Sequence, residues 1–81
     1  MHLTVEISMY PLQENFRELI HDFIERLNTV PDLRVDTTAT STIILGEYRY
    51  VMATLTDLME WSSQTHGRAV FVTKFITDYT P

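Results

Sequence analysis

"LRVDTTATSTIILGEY", Leu33 to Tyr48, lies between two stretches of helical periodicity, and its parsing decides the architecture. Leu33, Val35 and Thr37 alternate with Arg34, Asp36 and Thr38, the period of two expected of a strand with unlike faces. Thr42 to Glu47 is short and mostly apolar, as a central strand covered on both sides would be. Ala39 to Ser41 then forms the hairpin turn, although it lacks an Asn-Gly pair. In this parse Thr37 faces the helices, Ile43 and Leu45 fill the core, and Gly46 with Glu47 opens the following helix.

Working outward, Asn28, Thr29, Pro31 and Asp32 form a breaker cluster, because Pro31 lacks an amide hydrogen and disfavours helix at Val30. Before it, Phe16, Leu19, Ile20, Phe23, Ile24 and Leu27 make one continuous helical stripe. Earlier still, Leu3, Val5, Ile7 and Met9 alternate with Thr4, Glu6, Ser8 and Tyr10, a strand that Pro11 ends. On the other side a second stripe runs through Tyr48, Val51, Met52, Leu55, Leu58, Met59 and Ser62 until Gly67 stops it. "AVFVTKFIT", Ala69 to Thr77, supplies the last strand.

The order β-α-β-β-α-β, with two crossovers joined through a central hairpin, predicts an α+β ferredoxin-like sandwich: a four-stranded antiparallel sheet with both helices on one face. It forms a single domain, residues 1–81. Thr4, Glu6, Ser8, Val70, Val72 and Ile76 are expected on the opposite, open face. A half-apolar exposed sheet favours self-association, as a dimer or tetramer whose open faces meet.

Composition narrows the function classes. With 11 acidic against 6 basic residues the net charge is -5, which repels phosphate backbones and anionic lipid, so no nucleic-acid partner is expected. No apolar run approaches the roughly 18 residues of a membrane span, so no membrane partner is expected either. The amino terminus alternates like a strand and has no basic leader, and there is no cysteine; a cytoplasmic setting is expected. Only Gly46 and Gly67 are glycines, too few for a phosphate-cradling loop, and no cofactor is expected. His2, His21 and His66 lie far apart and are expected to be solvated, without a carboxylate partner at metal-ligand spacing. No Ser/His/Asp arrangement suggests catalysis, so the chain is not expected to be an enzyme. Phe16, Phe23, Phe71 and Phe75 are assigned to the core, and Tyr10, Tyr48, Tyr50 and Trp61 to the ends of elements.

Thr37 to Thr42 holds five hydroxyl residues in six positions. Threonine is a strand former, so the run serves either a hairpin alone or a binding wall. In the second reading Thr38, Thr40, Ser41 and Thr42, with Ser8 and Glu6 from the neighbouring strand, set donors and acceptors at one edge of a shallow apolar pocket suited to a neutral heteroaromatic ring. Glu6 or Glu47 would add an anionic partner for an aminopyrimidine or a cationic ring.

Three segments carry a family likeness: "VEISMYPL" (Val5 to Leu12), "ATSTIILGEY" (Ala39 to Tyr48) with the helix after it, and "VFVTKF" (Val70 to Phe75). Together they resemble the YkoF-like thiamine and hydroxymethylpyrimidine-binding proteins over nearly the whole chain. The resemblance implies a ferredoxin-like fold and binding of thiamine or its pyrimidine moiety without turnover. It matches Ser8 and Tyr10 in the first motif and Ser41 and Thr42 in the second. Thr40 departs from the more apolar or methionine residue expected there. Larger members carry two such units, so in a chain with one unit the pairing would come from homo-oligomerisation. The competing reading is a protein-interaction module with no small-molecule ligand.

Overall fold

The alternation and the two stripes become β1 (His2–Pro11), α1 (Phe16–Asn28), β2 (Arg34–Thr37), β3 (Thr42–Glu47), α2 (Tyr48–His66) and β4 (Ala69–Thr77). The computed structural model describes all residues, Met1 to Pro81. The sheet order is β2-β3-β1-β4, every neighbouring pair is antiparallel, and the result is a ferredoxin-like α+β sandwich.

Leu3, Val5, Ile7 and Met9 of β1 are buried against Phe23 and Leu27 of α1 and Val51, Leu55 and Leu58 of α2. These residues form the core because the period of two in β1 and the helical stripes present their apolar sides to one another. Ile44 of β3 joins them, fully buried, whereas Ile43 and Leu45, expected in the core, turn to the open face and are only half-buried. Pairing decides this: Val5 faces Ile44 and Ile7 faces Thr42. An apolar triplet does not reveal which of its residues share a face; the register does.

Two phenylalanines assigned to the core are half-exposed, Phe16 at 44% and Phe75 at 49%. Phe16 is the first residue of α1 and Phe75 lies on the edge strand, so each has neighbours on one side only. Phe23 and Phe71 do pack together, with ring centroids 5.3 Å apart. On the open face Thr4 is buried, because its hydroxyl donates to the Tyr79 carbonyl at 2.6 Å and the chain after β4 crosses above it. Val70, Val72 and Ile76 remain exposed there, around a Lys74–Glu6 ion pair of 3.4 Å.

Gly46 is required by close approach. A Cβ there would lie 2.6 Å from Leu33 Cδ2 and 2.9 Å from Val51 Cγ2, so only hydrogen lets β3, the β2 lead-in and α2 meet. Gly67 ends α2 with φ at 85°, a region that side chains rarely enter.

The lengths of the strands set up the site. β1 pairs with β4 from Leu3↔Thr77 to Pro11↔Ala69, but with β3 only from His2↔Glu47 to Ile7↔Thr42. Ser8 to Pro11 therefore have a strand on one side and a notch on the other.

Candidate functional site

Which backbone groups face the notch follows from the alternation of an antiparallel ladder. The Leu12 amide donates to the Arg68 carbonyl and the Asp78 amide to the His2 carbonyl, so even-numbered residues of β1 bond towards β4. The Tyr48 amide donates to the Met1 carbonyl, so odd-numbered residues bond towards β3. Met9 is thus turned towards the notch. Continuing the register would set it opposite Thr40, but the loop has left the ladder by then.

Side-chain hydroxyls take over both Thr40 backbone groups that a longer ladder would offer to Met9. The Thr40 amide points to Thr38 Oγ1 at 3.4 Å, and the Thr40 carbonyl accepts from Ser8 Oγ at 3.0 Å. Thr38 Oγ1 also accepts from the Ser41 amide at 3.2 Å and donates to the Ser41 carbonyl at 3.0 Å. The turn has no positive-φ residue. The Thr38 amide donates to the Ser41 carbonyl at 2.8 Å and closes the turn, and the threonine side chain reinforces that closure.

The notch opens into a cavity of about 440 Å³. Ile7 to Pro11 of β1 form one wall, Thr37 to Thr42 the second, and Phe16, Ile20, Phe23 and Ile24 of α1 the third. No aspartate, glutamate, histidine, lysine or arginine lines it. One side is apolar and the other offers hydroxyls, the usual make-up of a site for a small, flat, neutral molecule.

Of the residues singled out in the sequence, Ser8, Tyr10, Thr38, Thr40, Ser41 and Thr42 line this one cavity. They are not chemically equivalent. Thr38 and Ser8 hold the loop, Ser41 Oγ donates to Glu6 at 3.4 Å, and Thr37 and Thr42 share a hydroxyl contact of 3.4 Å. The hydroxyls of Tyr10 and Thr40 have no partner within the chain. Those two are free to meet a ligand.

Glu6 and Glu47 stand outside the cavity. Glu6 lies behind Ser41 on the open face, held by Lys74. Glu47 pairs with His2 at the far end of β1 and caps α2, accepting the Tyr50 amide at 2.9 Å. Bonds from the Tyr50 amide first, and the Arg49 amide second, hold its carboxyl below the usual carboxylate range. An acidic residue next to Gly46 looked available in the sequence, but a helix start uses it.

Sequence reasoning gave the α1 wall wholly to the core. The available signal was Phe16, an aromatic at the very start of the stripe, which lines the cavity.

His2 and His21 are exposed as expected, whereas His66 is half-buried and two of the three histidines do have a carboxylate neighbour. His21 Nδ1 lies 3.9 Å from Glu25 Oε2, one turn along, and His66 Nε2 lies 3.4 Å from Asp22 Oδ2. His21, Asp22 and Glu25 each bring a ligand atom to within 4.8 Å of the others, with His21 and Glu25 exposed. Solvated side chains on one helix face commonly approach this closely. Trp61 is also not at an element end: it sits within α2, its ring under the Arg26 guanidinium at 4.4 Å. No helix is long and apolar enough to cross a membrane.

No protein-family model and no curated protein matches the sequence. Solved structures do match its fold. A Thermotoga maritima protein provisionally assigned to thiamine biosynthesis or salvage superposes with a TM-score of 0.84 at 23% identity, covering 99% of this chain and 85% of that one. A Streptococcus pneumoniae protein gives a TM-score of 0.88 at 20% identity over 98% of this chain and 89% of its own. A hypothetical protein of Methanocaldococcus jannascii gives 0.80 at 20% identity, covering 99% and 84%. At such identities the likeness is one of fold.

Proposed function

We propose that this chain is a non-catalytic binding protein for a small, flat heteroaromatic molecule, namely thiamine or its hydroxymethylpyrimidine moiety. The observation that carries the reading is the cavity: about 440 Å³, apolar along α1, hydroxyl-lined along the hairpin and free of charged side chains. Without a carboxylate or imidazole in its wall, the cavity lacks the commonest agents of proton transfer, which supports binding without turnover. The Thermotoga structure, with its provisional thiamine assignment, and the likeness to YkoF-like proteins favour the pyrimidine class.

Self-association belongs to the same proposal. Val70, Val72 and Ile76 expose 48%, 54% and 47% of their surface on one sheet face, a patch that a second copy would cover. The same patch favours the second reading, an interaction module with no ligand.

Isothermal titration with thiamine and with hydroxymethylpyrimidine tests the ligand. Heat of binding that disappears when Ile24→Trp fills the cavity supports the proposal. Absence of heat at millimolar ligand, with the protein folded, refutes it. Light scattering on Val72→Lys tests the patch: the variant is expected to be monomeric and to retain the fold.

A further inference from the structure

We infer that the vacant edge of β1 at Met9 is the element that reads the ligand, accepting an amidine-type edge, a ring nitrogen beside an exocyclic amine, in place of a missing strand. The inference rests on the binding role proposed above and specifies its chemistry. In an antiparallel ladder an inward-bonding residue presents its N–H and C=O side by side, and the opposite residue returns the complementary pair. Met9 has this orientation, since the residues bonded to β4 are the even-numbered ones and those bonded to β3 the odd-numbered ones. Its natural partner in the register is Thr40, whose carbonyl accepts from Ser8 Oγ at 3.0 Å and whose amide is turned to Thr38 Oγ1 at the long distance of 3.4 Å. Met9 therefore presents one donor and one acceptor, in a fixed relation, to the cavity that it lines.

An aminopyrimidine carries the matching pair: the ring nitrogen accepts from the Met9 N–H and the amine donates to the Met9 carbonyl. Such a ring would lie roughly in the plane of the sheet, in the place of the next residue of β3. Its two faces would meet apolar side chains of α1 on one side and the open face beside Ser8 and Tyr10 on the other. The free hydroxyls of Thr40 and Tyr10 are left for substituents on the ring. Backbone recognition of this kind resembles strand addition to a sheet edge, with a heterocycle in place of a peptide. It also explains how a cavity with no charged side chain would select one class of ring.

Amide-resolved NMR on the intact chain tests this, with an aminopyrimidine and the same ring lacking the amine as probes. In the free protein the Met9 amide is expected to exchange with solvent far faster than those of Ser8 and Tyr10, which bond to β4. Adding the aminopyrimidine should shift the Met9 amide resonance and slow its exchange. The ring without the amine should bind roughly fivefold to tenfold more weakly, the value of one hydrogen bond. A Met9 amide already protected without ligand overturns the inference, since the edge would not be vacant. So does a Met9 resonance that stays in place while those of Thr38 to Thr42 move; in that case the binding role survives and only the mode of recognition falls. If no cavity resonance moves with either probe, the binding role falls as well.

Discussion

Thr38→Val is the substitution that best tests whether the hydroxyl row builds the loop or binds. Valine keeps the branched shape and strand preference of threonine and removes only the oxygen. That oxygen makes a donated bond of 3.0 Å to the Ser41 carbonyl and an accepted bond of 3.2 Å from the Ser41 amide. The Thr40 amide, at 3.4 Å, adds little. Thr38 is exposed, Ser41 is half-buried and both bonds lie at the surface, so the groups left behind turn to water, and each lost bond is worth the lower part of the usual range, about 0.5–0.75 kcal/mol. Together they come to about 1–1.5 kcal/mol, which for a domain of this size lowers the melting temperature by roughly 4–12 °C. Thermal unfolding followed by circular dichroism, with urea titration as a check on the free energy, measures it. A variant that melts with the wild type would refute the assignment of Thr38 to scaffolding.

Thr40→Val, removing a hydroxyl with no partner in the chain, should leave the melting temperature unchanged and weaken aminopyrimidine binding roughly fivefold, as read by titration calorimetry. Gly46→Ala drives a Cβ against Leu33 and the buried, stiff Val51, and should cost about 1–3 kcal/mol in denaturant unfolding. Because capping depresses the carboxyl of Glu47 in the folded state, its contribution to stability is present above the unfolded carboxylate pKa and is lost as pH falls through the folded value. Glu47→Gln should therefore show a shallower loss of stability on acidification, seen in melting curves across the acid range. Ligand affinity should be nearly independent of salt, because no charged side chain lines the cavity; a steep salt dependence in calorimetry would place the ligand elsewhere.

The fold was legible because its two periods are clean. The stripe from Phe16 to Leu27 and the alternation of β1 each give one answer, and the order of elements then leaves few topologies. Faces of β3 were not legible: Ile43, Ile44 and Leu45 are all apolar, and only pairing with Val5 and Ile7 decides that Ile44 is buried. The row from Thr38 to Thr42, with Ser8 and Tyr10, was singled out by residue type, and these residues do line one cavity. What composition does not carry is which hydroxyl is already spent on the loop. The Met9 edge was invisible for a simpler reason: a vacant backbone group has no side-chain signature, and only the unequal lengths of two neighbouring strands reveal it.

The vacancy and the hydroxyl row are then two aspects of one device. Thr40, the residue that a longer ladder would set opposite Met9, lies inside the turn that the Thr38 amide closes on the Ser41 carbonyl at 2.8 Å. The Thr38 side chain adds two bonds to Ser41 and the Ser8 hydroxyl holds the Thr40 carbonyl, so the ladder stops one bonded pair short. The two hydroxyls hold neighbouring residues of one loop, Ser41 and Thr40, and their removal should not be additive. In the double variant Ser8→Ala, Thr38→Val the Thr40 backbone is released from both sides and can turn to Met9, recovering part of the stability that each single change loses. Recovered stability, a newly protected Met9 amide and abolished binding are expected together, because one hydrogen-bonded pair would replace the site.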